Sequence, residues 1–286
     1  MASPDPSWSF DEHDRTLGAL VTRENFPVAT RVLPARHRAD LRAVYGFARL
    51  VDDVGDEAPP ERRAELLDLI DAELDAVAAG RTPRLPQLRR LAPTVRDRGI
   101  PLDPFRDLIQ ANRQDQVVDR YATFDELLKY CTLSAEPVGR IVLHVFGRAT
   151  PELMDASDRV CSALQVIEHC QDVGEDYARG RVYLPADDLR RFGCTDDDLA
   201  LPYTPTRLRG VVALQAARAA ALLAEGAPPL LAGLAGWARL AVAGYVAGGR
   251  ATLAALDRGR HDVLGRELRA GRVRLLAGWA SALGRG

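Results

Sequence analysis

Apolar residues recur at every third or fourth position through most of the chain, the spacing of helices buried along one side, and Pro and Gly punctuate the runs. Strict apolar–polar alternation, the mark of strands, is scarce. The pattern predicts helices at about 36–57, 60–79, 103–117, 123–147, 151–179, 206–225, 229–257 and 262–283, plus a weaker one near 84–98 that Pro86 and Pro93 interrupt. Thr123 is the expected N-cap of the fourth, with Asp125 and Glu126 in its first turn. Loops are expected at 80–86, 99–104, 180–188 and 193–206. No linker is long or polar enough to divide the chain, so 1–286 reads as a single all-α domain, with 1–12 as a loose tail.

Composition narrows the function classes. Charged residues make up 27% of the chain and the formal net charge is −2, so nothing marks it as a nucleic-acid binder. Lys129 is the only lysine; arginine carries the rest of the positive charge. Cys131, Cys161, Cys170 and Cys194 form no C-x-x-C pair and no zinc spacing, which suits free thiols in a reducing cytoplasm. The N-terminal residues have no apolar core like that of a signal peptide. No uncharged apolar stretch reaches the length of a membrane span; the longest, Gly226 to Ala238, ends at Arg239. The expected location is the cytoplasm, either free or peripheral to the inner face of the membrane. Residues 210–257 are rich in Ala and Gly. Close helix packing is the ordinary reading of that; a wall around a hydrophobic ligand, or a surface that touches lipid, is the functional one.

Two carboxylate clusters change the picture. Tyr45, Arg49, Asp52 and Asp56 fall in one narrow stripe of a helix, with Asp53 and Glu57 alongside, while Leu41, Val44, Phe47, Leu50 and Val51 make the rest of that helix core-like. Gln165, Glu168, Asp172 and Asp176 share a face of a second helix, with Val166, Ile167, Cys170 and Val173 on its apolar side. Like charges one turn apart repel by a few tenths of a kcal/mol, and more steeply when buried. One Asp-x-x-x-Asp motif alone reads as a solvated acidic face. Two, each on a core-like helix, call for a cation. Hard divalent ions take carboxylate oxygen, and Mg²⁺ shares its remaining positions with water and phosphate. Two acidic helix ends facing each other would hold Mg²⁺, and the ions would hold a diphosphate. Arg49, Arg179 and Arg181 offer guanidinium forks for its oxygens, or ion pairs with the same acids.

These residues match a family. The stretches 24–57 (opening ENFPVA), 130–147 (YCTLSAEPVGR…) and 163–185 (ALQVIEHCQDVGEDYARGRVYLP) resemble the squalene/phytoene synthase family, and ENFPVA and SAEPVGR look most like its bacterial hydroxysqualene synthase branch in hopanoid biosynthesis. The resemblance implies a class I isoprenoid synthase helical bundle with a central cavity. It implies metal ligation by Asp52, Asp56, Asp172 and Asp176, and diphosphate binding by Arg49, Arg181 and Tyr183. Tyr45, Tyr130 and Gln165 match positions lining the reaction cavity, Asp115 matches an acidic position, and Asp53 stands beside the first motif. Glu168 departs from the family's usual Asn, which adds negative charge beside the metals. His144 and His169 read as packed histidines rather than ligands.

The implied reaction is Mg²⁺-dependent ionisation of presqualene diphosphate and capture by water, giving hydroxysqualene and diphosphate: a carbon–oxygen lyase with no nicotinamide. Tyr45, Tyr130, Ser134 and Gln165 are the expected polar partners for that water. A downstream oxidoreductase that forms squalene is the implied partner enzyme. The alternative is a prenyltransferase that condenses two farnesyl or geranylgeranyl diphosphates to presqualene diphosphate, squalene or phytoene. A non-catalytic relative is disfavoured by the four intact aspartates.

Overall fold

The computed structural model describes residues 8–10, 13 and 33–265. The predicted helix at 262–283 and the ENFPVA opening lie almost wholly outside the described residues. The chain divides into two compact units: residues 1–117 with 144–147, and residues 118–143 with 148–286.

The first unit is built on α1 (Ala35–Asp56), which packs against α2 (Arg63–Ala78), α3 (Pro86–Arg98) and α4 (Asp103–Gln114). Its apolar stripe, Leu41, Val44, Phe47, Leu50, Val51 and Val54, is buried as the periodicity predicts. Phe47 meets Phe105 of α4 edge to face at 5.2 Å. Pro86 begins α3 at a position where a missing N–H costs nothing, and Pro93 is accommodated inside it, so the weakly predicted helix forms. Ion pairs fasten the outer faces: Arg98 to Asp40 at 2.5 Å, and Arg113 to Asp68 at 2.6 Å. At Gly55 α1 and α4 lie in close contact, since a methyl group there would overlap the Asn112 carboxamide.

The second unit is built on α7 (Pro151–Gln171), which packs along α11 (Thr206–Gly233), α12 (Gly236–Arg258) and α5 (Phe124–Ser134). The small residues are contact residues: Gly226 lies against the Ala156 carbonyl, and Gly249 against Leu164. Among the described residues there is no strand, only an isolated parallel bridge between Arg120 and Val182. Thr123 caps α5 as expected, accepting from the Glu126 amide at 3.2 Å.

Four boundaries differ from the sequence pattern. The predicted helix 123–147 breaks at Ala135 into α5 and α6 (Glu136–Val145), because Pro137 cannot donate to the preceding turn and disfavours helical backbone at Glu136. The predicted helix 151–179 breaks at Asp172, which separates α7 from the short α8 (Val173–Ala178). The predicted helices 206–225 and 229–257 are not divided at Pro228 and Pro229: α11 runs through both, and the chain breaks only at 234–235. Both prolines are exposed while Ala227, Leu230 and Leu231 are buried, so packing of the inner face outweighs the lost backbone bonds on the outer one. Short helices also form in segments read as loops, α9 (Ala186–Arg191) and α10 (Asp196–Leu199), the latter closed by a Thr195–Asp198 capping box. By length and composition α11 could cross a membrane, although its apolar stretch carries charged residues and is 44% buried in this chain.

Candidate active site: two acidic segments

In the first unit the acidic stripe lies at the C-terminal end of α1. Asp52 and Asp56 are open to solvent, whereas Asp53 is buried. Asp53 is held from two sides, by Arg49 Nε at 2.7 Å and His13 Nε2 at 2.6 Å. The second ring nitrogen of His13 lies 3.4 Å from the Gln87 amide nitrogen. A proton on Nε2 lets His13 donate to the carboxylate and accept from Gln87 at Nδ1. Arg49 thus forms the ion pair expected for it, with Asp53 as partner. Asn112 of α4 donates from Nδ2 to Asp52 Oδ1 and to the Leu108 carbonyl, both at 3.2 Å. Asp115, the acidic position expected in this segment, lies one turn after Asn112 at the C-cap of α4. Tyr45 is half-buried one turn before Arg49.

In the second unit Gln165 and Glu168 lie on the last turns of α7, Asp172 at the break and Asp176 on α8. Asp172 has φ −98° and ψ 14°, the sparsely populated region between helix and extended backbone where turn and active-site residues recur. Backbone bonds from Asp172 N to Glu168 O (3.0 Å) and from Asp176 N to Asp172 O (2.8 Å) bridge the break. Beyond it, Gly180 takes φ +82° and the chain turns back. Segment 182–187 is then laced to 119–122 by three backbone bonds: Val182 N to Asp119 O (2.8 Å), Ala186 N to Tyr121 O (2.9 Å) and Asp187 N to Ala122 O (3.1 Å).

That lacing builds an aromatic wall beside the acids. Tyr183 stacks on His169 at 3.9 Å and on Tyr121 at 5.9 Å, and Tyr130 is 5.6 Å from Tyr183. His169 is buried, as its packed reading expects; Gln165 Nε2 is 3.3 Å from its Nε2, and its Nδ1 lies 3.9 Å from the Asp176 carboxylate. Arg181 is half-buried, with its amide on the Asp176 carbonyl at 2.9 Å. On α5, one turn after Tyr130, the Ser134 hydroxyl oxygen is buried and has no hydrogen-bond partner among the described residues.

The electrostatics single out one carboxyl in each segment. Burial, then the Asp56 and Asp53 charges, push Asp52 up to about 7 against the opposing pull of Asn112 and Arg49. Solvent nevertheless reaches the Asp52 side chain, which tempers that rise. Burial, then Glu168, Asp176 and Glu175, push Asp172 up to about 6. Glu168 is itself raised by burial. Two carboxyls raised by burial and then by neighbouring acids form a donor set that a hard cation would relieve. Among the described residues no three His, Cys, Asp or Glu side chains are already gathered as a metal cage. Magnesium does not require one, because it is commonly held by one or two carboxylates and completed by water and phosphate.

Sequence reasoning missed Asn112, His13 and Tyr121. Asn112 carried a signal: it occupies an apolar position of α4, in register with Phe105, Leu108 and Ile109, and a buried amide there needs a partner. His13 and Tyr121 touch residues 40 and 62 positions away, and no local pattern marks them.

An all-helical chain with two carboxylate clusters, arginines nearby and an aromatic wall has the parts of a diphosphate-handling enzyme. The chain belongs to the squalene/phytoene synthase family, whose model matches residues 21–278. It is 39% identical to the hydroxysqualene synthase of Rhodopseudomonas palustris over 208 residues, 72% of this chain and 70% of that one. It is 36% identical to the phytoene synthase of Mycobacterium tuberculosis over 200 residues, 68% of this chain and 65% of that one. Among solved structures, squalene synthase HpnC from Alicyclobacillus acidocaldarius superposes with a TM-score of 0.79 at 38% identity, covering 88% of this chain and 94% of that one.

Proposed function

We propose that the protein converts presqualene diphosphate and water to hydroxysqualene and diphosphate. The observation that carries this reading is that three hydroxysqualene synthases match at 36–39% identity over 70–73% of this chain, with the highest identity, 39%, to that of Rhodopseudomonas palustris. Asp52 and Asp56, with Asp172 and Asp176, are the residues that would hold magnesium, and the raised Asp52 and Asp172 support this. When bound, magnesium supplies Lewis acidity towards the leaving diphosphate.

The chain's own residues do the rest. Arg49 and Arg181 offer charge to the diphosphate oxygens as the carbon–oxygen bond breaks and both its electrons leave with the diphosphate. The ring face of Tyr130 favours the positive charge left on carbon, while Tyr183, whose faces His169 and Tyr121 cover, offers its hydroxyl to the diphosphate. The cyclopropylcarbinyl cation rearranges with opening of its three-membered ring, a water molecule then adds through oxygen to the carbon that carries the charge after the rearrangement, and the surplus proton is released to solvent or to the diphosphate. The unpartnered Ser134 hydroxyl suits the holding of that water, because a buried hydroxyl without a partner costs roughly 1–3 kcal/mol.

The test is incubation of the purified protein with presqualene diphosphate and Mg²⁺ in ¹⁸O-water, without reductant. Label in an alcohol product supports the reading. Efficient use of farnesyl diphosphate with unlabelled hydrocarbon as product would replace it with the condensing reaction.

A further inference from the structure

The middle carboxylate of the first acidic motif differs from its two neighbours. Asp52 and Asp56 face solvent, whereas Asp53 is buried. Each oxygen of Asp53 has its own partner: Oδ1 is 2.7 Å from Arg49 Nε, and Oδ2 is 2.6 Å from His13 Nε2. The first contact is an ion pair one turn apart on α1; the second is a hydrogen bond that reaches across 40 positions of sequence. A buried carboxylate with both oxygens engaged is a poor ligand for a hydrated ion such as Mg²⁺. Asp53, which stands beside the metal motif in the sequence, is placed here to hold a cationic side chain instead.

Arg49 is that side chain. It is half-buried, with Nε at Asp53 and Nη2 3.8 Å from Glu57. Arginine binds a diphosphate through a planar fork, so the way the fork is held decides how well it serves. Glu57 is exposed, and water and salt screen a pair of that kind. The buried Asp53 is screened less. Asp53 in turn needs fixing, and His13 supplies it. His13 is buried, its ring lies 5.3 Å from that of Trp8, and the buried Gln87 of α3 reaches its Nδ1 at 3.4 Å. The contacts Gln87–His13–Asp53–Arg49 therefore run from a buried amide on α3 to a half-buried guanidinium on α1. A tether for the N-terminal residues is the plainer explanation of the His13 contact, and it predicts no coupling between His13 and Arg49.

We propose that His13 is a positioning residue for Arg49, acting through Asp53. With its proton on Nε2, His13 fixes the Asp53 carboxylate, and the carboxylate holds Arg49 at Nε so that the guanidinium turns its other N–H groups to a diphosphate. This rests on the diphosphate role given to Arg49 above, and it is independent of which prenyl diphosphate reacts.

The test is a double-mutant cycle on the full chain, read by calorimetry as the affinity for inorganic diphosphate in the presence of Mg²⁺, with melting temperatures measured alongside. His13→Ala should weaken diphosphate binding about tenfold, within the range of coupling inside one hydrogen-bonded network, and should add no further loss in an Arg49→Ala background. His13→Gln keeps an N–H donor of similar reach and should restore most of the affinity. A lowered melting temperature with unchanged diphosphate affinity, or losses at His13 and Arg49 that simply add, would leave His13 as a tether and overturn the proposal. If Arg49→Ala itself leaves diphosphate binding unchanged, the diphosphate role of Arg49 fails and the relay fails with it. A loss at Arg49→Ala with none at His13→Ala overturns the relay alone. If His13→Ala does not fold, Asp53→Asn, which keeps the shape and removes the charge, carries the same cycle.

Discussion

The two acidic segments carry the same Asp-x-x-x-Asp pattern and are held by different means. The first ends an unbroken helix and is fixed by side chains from elsewhere: Asn112 on Asp52, and His13 with Arg49 on Asp53. The second straddles a break in its helix and is fixed by its own backbone, with an aromatic stack behind it. The first therefore depends on tertiary contacts that mutation can remove one at a time. The second depends on a local backbone shape that single side-chain changes leave largely intact. In each, the carboxyl with the strongest upward shift, Asp52 or Asp172, begins the motif.

The largest expected effects test whether the segments are equal partners. Asp52→Ala, Asp56→Ala, Asp172→Ala and Asp176→Ala should each lower turnover by more than about a hundredfold, beyond the usual cost of an outer-shell change, while circular dichroism stays unchanged. Near-normal turnover in any two of them would remove the metal assignment.

Asn112→Ala comes next. It should weaken Mg²⁺-dependent activity by about 10–100-fold, as an outer-shell partner does. Its amide hydrogen bond holds Asp52 down, so its loss should raise Asp52 further and move the acid limb of the pH–rate profile upward. A rate loss with an unmoved profile would mean that Asn112 serves packing alone.

Stability should show a smaller, pH-dependent effect. Asp52 and Asp172 bind protons more tightly in the folded chain, near 7 and 6, than the ordinary 3.8 of an unfolded one. The folded state then holds more protons between about pH 4 and 7, so these groups cost stability as pH rises through that window. The metal-free melting temperature should fall from pH 5 to pH 8, and fall less in Asp52→Asn and Asp172→Asn. Because solvent reaches Asp52, its share of the slope is modest. Equal slopes in wild type and both variants would contradict the shifts.

The smallest change is expected from Glu168→Asn, which keeps a hydrogen-bonding side chain and removes one of the charges that raise Asp172. Turnover should persist, with an altered Mg²⁺ dependence. Complete inactivity would give Glu168 a role of its own.

Periodicity and charge along the chain were enough to place the long helices to within their breaks, the buried face of α1 and both acidic stripes, because these follow from neighbours three and four residues apart. The three family segments were legible for the same reason, since each is a short continuous run. The tertiary structure decided what depends on distant partners. It let α11 run through Pro228 and Pro229 because α7 buries the opposite face, and it turned Asp53 inward to meet His13. It brought Asn112 onto Asp52, where Gly55 allows two helices to close. It also stacked Tyr121, Tyr183 and His169 across a backbone bridge. A helix pattern records which face is buried; it holds no record of which side chain from another helix will complete a hydrogen bond there.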